Sequence, residues 1–172
     1  MMNGLSTRNC TVVKEKESRP MIRSIYPVLA LNDLKPSGDR RSKAMINSYE
    51  LPLEDTQYLE ENYPSKWRKV AEGNGKYGLL IDDFPIPKGY IVEKSRLMVL
   101  IPSGYPGSML DMFYFSPPLG KSDGSAIGAL ASENHFGQTW QRWSRHYSWQ
   151  PGIDSIVSHI EYVINQLKTE VG

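Results

Sequence analysis

Ser95 to Leu119 read SRLMVLIPSGYPGSMLDMFYFSPPL, and this stretch carries the plan of the fold. Ser95–Ile101 alternates as a strand, with Leu97, Val99 and Ile101 on one face and Met98 and Leu100 on the other, so both faces call for cover. Pro102 and Pro106 lie beyond its end, and Asp111–Phe115 (DMFYF) reads as a further strand rich in aromatics. Pro117 and Pro118 follow, where a missing N–H does least damage. Upstream, Tyr77–Phe84 (YGLLIDDF) reads as the preceding strand, bounded by Pro85 and Pro87. Three successive strands make an antiparallel meander.

Working outward, a helix is expected on each side. Leu53–Asn62 (LEDTQYLEEN) has acids in its first turn, which suits the helix dipole, and Pro64 stops it. Ile153–Leu167 has Ile153, Ile156, Val157, Ile160, Val163, Ile164 and Leu167 on one apolar stripe. The plan is α+β, with helices on one face of a small sheet.

The chain has 172 residues, 40% hydrophobic and 23% charged, enough to build one core. Residues 1–50 hold nine Lys and Arg against five Asp and Glu, and read as a polar, basic extension; residues 51–172 form the domain. The net charge of +1 offers no field for nucleic acid or an anionic membrane. The longest aliphatic run, Leu97–Ile101, is too short to span a bilayer, and no signal-peptide pattern opens the chain, so a cytoplasmic protein is expected. One cysteine, Cys10, excludes an internal disulfide and any zinc site with two thiolates. There is no GxxxxGK[ST], GxGxxG or HExxH, so no cofactor and no metal are expected.

Leu119–Trp149 shows no convincing period and reads as a long irregular loop, which is uncommon in a compact domain unless functional. It ends in Glu133–Trp149, ENHFGQTWQRWSRHYSW, with three of the four tryptophans and two of the three histidines. Ser144, Arg145 and His146 supply a hydroxyl, a cation and a base in three consecutive positions. Serine needs such a base, or an oxyanion site, to act as a nucleophile. The plainer reading is that Ser144 bonds backbone and the histidines sit half exposed. Trp140, Trp143 and Trp149 anchor the loop, or one of them serves a partner surface. Adjacent Asp82 and Asp83 point to opposite faces of a strand and make a poor acid–base pair. His159 lies beside the apolar stripe as a packing or surface residue.

Several spaced segments resemble ubiquitin-conjugating (E2) enzymes: Ile101-Pro-Ser-Gly-Tyr105-Pro106, the aromatic strand Met112–Phe115, and Trp149-Gln150-Pro151-Gly152 before the final helix. More narrowly, LIDDFPIPKGY, IPSGYP, LDMFYFSPPL, WQRWSRH and WQPGIDS resemble prokaryotic E2 family E, from about Leu51 to Lys168. The resemblance implies the E2 fold: an N-terminal helix, an antiparallel meander, a long active-site loop and a C-terminal helix. It implies an E1-like adenylating enzyme and a ubiquitin-like protein as partners, a JAB-type deconjugating protease in the same pathway, and a role in antiphage defence.

An E2 enzyme carries its cargo on a cysteine ahead of the Trp-x-Pro, and this loop has none. Counting about eight residues back from Trp149 gives Gln141. Counting about ten on from Asn134-His135, the nearest equivalent of the family's His-Pro-Asn, gives Ser144. Ser144 is therefore the expected nucleophile, forming an oxyester, with Ser148 second. His146 or His135 would take the proton, and Arg145 or Asn134 would stabilise the oxyanion. The alternative is a non-catalytic E2 variant that binds a ubiquitin-like protein as an adaptor.

Overall fold

The computed structural model describes residues 49–73 and 75–172. Most of the expected basic extension, including Cys10, lies outside the described residues. Helix α1 (Leu53–Asn62) leads into β1 (Trp67–Glu72), β2 (Lys76–Pro85), β3 (Lys94–Ile101), β4 (Phe113–Ser116), β5 (Leu130–His135) and β6 (Gln138–Trp143), and helix α2 (Ile156–Val171) closes the chain. The strands form one sheet in the order β1-β2-β3-β4-β6-β5, antiparallel at every pairing. A helix, an antiparallel sheet and a C-terminal helix make the expected α+β plan.

The alternation in β3 divides the sheet into two faces. Leu79, Ile81, Leu97, Val99, Phe113, Phe115 and Trp143 join Leu59 of α1 and Ile156, Ile160, Val163 and Leu167 of α2 in the main core. Each fully buried aliphatic or phenyl side chain there contributes roughly 1.5–3 kcal/mol. Leu80, Met98, Tyr114 and Trp140 form a smaller cluster on the opposite face. The β5–β6 turn covers that second cluster. Ring carbons of Phe136 lie 2.7 and 2.8 Å from where a Cβ on Gly78 of β2 would stand, so glycine there makes room for the turn.

Three expectations need correction. The supposed loop Leu119–Trp149 contains β5 and β6, joined by the two-residue turn Phe136–Gly137 with φ of +51° and +76°. These are type I′ signs, but the sequence is Phe-Gly and not the usual Asn-Gly, and β5 (LASENH) is too polar to look like a strand. The edge strand β1 leaves no mark in the sequence, because WRKVAE does not alternate. Helix α2 starts at Ile156 and not Ile153, which is 76% exposed. Ser155 caps it: its hydroxyl accepts from Val157 N–H (3.1 Å), while Ser158 Oγ accepts from Ser155 N–H (3.0 Å).

Candidate functional site

Two of the quoted motifs meet through a buried carboxylate. The Tyr105 hydroxyl donates to Asp55 Oδ2 of α1 and accepts from Ile156 N–H at the start of α2 (2.8 Å). Asp55 is 1% exposed, and burial pushes its carboxyl above the usual range against hydrogen bonds that lower it. Burial and the Asp55 carboxylate push the Tyr105 phenol well above its ordinary value. Trp149 rests on Tyr105 (6.2 Å between ring centroids) and on Tyr147 (6.1 Å). This node ties α1, the Tyr105-Pro106 turn, the Trp149-Gln150-Pro151 segment and α2 together.

Residues Ser144–Gln150 cross between β6 and α2 with no regular structure. Ser144 is half-buried, and its N–H donates to Ala129 O (3.1 Å). Arg145 lies over the Trp143 ring (5.3 Å) and donates to Gly128 O (3.1 Å) and Glu170 Oε2 (2.9 Å). Glu170 also pairs with Lys121 (3.0 Å). Partial burial would raise the Glu170 carboxyl, but Lys121 and Arg145 outweigh it and hold it below the usual range. His146 Nδ1 lies 2.5 Å from Asp111 Oδ1, and the His146 side chain is 59% exposed. Neither the Ser144 nor the Ser148 hydroxyl bonds His146 among the described residues.

Helix α2 holds this segment from below. The Tyr162 hydroxyl donates to His146 O (3.1 Å), and its ring lies 4.5 Å from that of Tyr147. The Tyr147 hydroxyl reaches His159 Nδ1 (3.3 Å). His159 is fully buried, its Nε2 has no hydrogen-bond partner among the described residues, and burial lowers its pKa to about 4.

Asn134 and His135 are not brought to this place. They sit at the turn end of the hairpin, whereas Ser144 follows its open end, the length of β6 away. Asn134 Oδ1 accepts from Thr139 (2.8 Å), and His135 Nε2 lies 3.1 Å from Glu133, against the Tyr114 ring. Gln141, reached by the count back from Trp149, is inside β6. Its amide accepts from Leu119 N–H (2.8 Å) and donates to Leu119 O (2.9 Å), a structural pairing. Asp82 stands at a bulge in β2, bonded to Arg68 and Arg96, and Asp83 pairs with Lys66 (3.5 Å).

Sequence reasoning missed Asp55, Asp111, Tyr162 and Glu170. Asp111 looks in sequence like the first residue of a strand, though β4 starts at Phe113, and the others lie on helices. Nothing local marks a partner that only packing supplies. Among the described residues, no three His, Cys, Asp or Glu side chains group to hold a metal ion, and no helix is long and apolar enough to cross a membrane.

Compared with curated proteins and with solved structures, the chain matches none. It does match the family model of prokaryotic E2 family E over residues 51–170, a span that includes both helices, nearly to the end of α2, and all six strands. The node that joins Tyr105-Pro106 to Trp149-Gln150-Pro151 thus lies wholly inside the matched region, and the chain belongs to prokaryotic E2 family E.

Proposed function

We propose that this chain is a cytoplasmic E2-like carrier that accepts the C-terminus of a ubiquitin-like protein from an E1-like enzyme onto Ser144, as an oxyester, and transfers it to a target. The observation that carries the reading is the His146–Asp111 pair, two residues from Ser144. A carboxylate on Nδ1 orients the ring and leaves Nε2 to act as base, the arrangement that activates a serine elsewhere. The C-terminus of the ubiquitin-like protein would arrive as a thioester on a cysteine of the E1-like enzyme; Ser144 Oγ attacks its carbonyl carbon and the Ser144 proton passes to His146. The carbon–sulfur bond breaks, and the departing thiolate takes the proton. The Ser144–His146 bond that this needs forms in the substrate complex, since catalytic hydrogen bonds are often loose without substrate. The pathway's deconjugating protease, of JAB type, and a role in antiphage defence belong to the same proposal.

The test is incubation with E1-like enzymes, ubiquitin-like proteins of the source genome and ATP. The expected product is a covalent adduct that resists thiol reductant, is cleaved by hydroxylamine, and is lost in Ser144→Ala but kept in Ser148→Ala. An adduct unchanged in Ser144→Ala ends this assignment. The adaptor reading has one observation in its favour: Arg145 is engaged by Glu170 and Asn134 is remote, so neither stands ready as an oxyanion donor. That reading expects binding with no adduct under any condition.

A further inference from the structure

We propose that the outer edge of β5, unpaired among the described residues, receives the extended C-terminal segment of the ubiquitin-like partner as an added antiparallel strand directed toward Ser144. Its direction rests on the reading of Ser144 as the acceptor; the edge itself does not. Among the described residues β5 is the outermost strand and pairs only with β6. Because the turn has two residues, His135 and Gln138 form a hydrogen-bonded pair, and bonded pairs recur at Glu133–Trp140 and Ala131–Arg142. The Ser144 N–H to Ala129 O bond continues the same phase. Leu130, Ser132 and Asn134 therefore aim their N–H and C=O away from β6. These groups have no backbone partner among the described residues.

The two edges of the sheet are treated differently. β1 carries Arg68 and Lys69, charges of the kind that discourage strand addition. β5 (LASENH) has no Lys and no Pro, and its one carboxylate, Glu133, is turned to Arg142 and His135. An open cleft of about 370 Å³ lies over one face of this hairpin, lined by Leu130 and Ser132 of β5, Thr139 and Gln141 of β6, and Pro118 beyond β4, with no charged side chain. On that face the neighbours of an added strand would be Leu130 and Ser132, which are small or apolar and carry no charge.

Direction follows from where Ser144 stands. The Ala129–Ser144 contact is at the start of β5, so a strand antiparallel to β5 ends there, whereas a parallel one ends at the Phe136–Gly137 turn. Two inter-strand spacings, about 10 Å, separate such a strand from Ser144, a gap that three further extended residues span. The backbone leaves the sheet at exposed Gly128 and Ala129 (φ +51° at Ala129), where that crossing would pass.

The test titrates isotope-labelled full chain with a synthetic peptide of about ten residues matching the C-terminus of a ubiquitin-like protein from the same genome. Amide shifts and slowed exchange are expected at Leu130, Ser132 and Asn134. Ser132→Pro removes one outward N–H without touching the pairing to β6, and should weaken binding about tenfold; Ser132→Ala should not. Should Ser132→Pro disturb the fold, peptides N-methylated at alternate residues give the same answer, since only one phase should lose binding. Shifts centred elsewhere, equal loss in both phases, or wild-type binding by a folded Ser132→Pro overturns the proposal. Binding at β5 with no adduct in the E1 assay upholds the edge site and ends the serine reading. An adduct undiminished in Ser132→Pro ends the edge site and leaves the serine reading standing.

Discussion

The two ends of the β5–β6 hairpin differ in what their polar groups face. At the turn end, Asn134 bonds Thr139 and His135 lies against Glu133, whose carboxylate also holds Arg142, and His135 Nδ1 and Gln138 Nε2 are buried with no partner among the described residues. At the open end, Ser144 and His146 lie on an irregular segment held by α2, with His146 exposed and paired to Asp111. Residues that look alike in sequence thus split into a lining for the sheet and a presented pair. Chemistry follows exposure and orientation, and a strand's length is enough to separate two groups that share one stretch of sequence.

The largest expected effect breaks the open end. Trp143 is fully buried, stacks on Phe113 (5.6 Å) and supports Arg145, so Trp143→Ala should cost about 4 kcal/mol in chemical unfolding. A loss under about 1 kcal/mol would mean that the core does not hold that end.

Next comes a pH effect beneath the same segment. His159 faces Tyr147, Tyr162 and Asp111 and is held neutral, with its pKa lowered from 6.5 to about 4. The unfolded chain takes up a proton there at higher pH than the folded chain. Stability is therefore fully present above pH 6.5 and lost as pH falls toward 4, by on the order of 3 kcal/mol. Unfolding curves across that window should flatten in His159→Phe relative to wild type; identical pH dependence would remove His159 as the cause.

Activity sharpens the comparison directly. His146→Gln should slow adduct formation about a hundredfold, and Asn134→Ala should leave it within about twofold. The reverse ranking would move the chemistry to the turn end. The smallest effect reads the turn's seat on the sheet: Gly78→Ala should cost about 1–2 kcal/mol through Phe136, and much less in a Phe136→Ala background.

Some of this was open to reading. The strands of β2 and β3 and the bounds of α1 follow from alternation and from Pro64, because local pattern and burial agree there. The hairpin was hidden because β5 is polar on both faces and its turn lacks Asn-Gly. Ser144, Arg145 and His146 were visible as reactive types, but Arg145 proved tied to Glu170, and the carboxylate on His146 came from Asp111, 35 positions away. The resemblance to prokaryotic E2 family E rested on motifs in order along the chain, and order survives in sequence even where contacts do not.

Sequence alone determined the α+β class, the family and the lack of a thiol anywhere in residues 51–172. These are properties of composition, periodicity and order, which need no partner. Only the tertiary structure decided which polar groups meet: Tyr105 with Asp55 and Ile156, His146 with Asp111, and Asn134 kept far from Ser144. The reason is physical. Hydrogen bonds and ion pairs act over a few ångströms, and the helix and sheet packing that brings distant residues within that range is a collective outcome of burying the core.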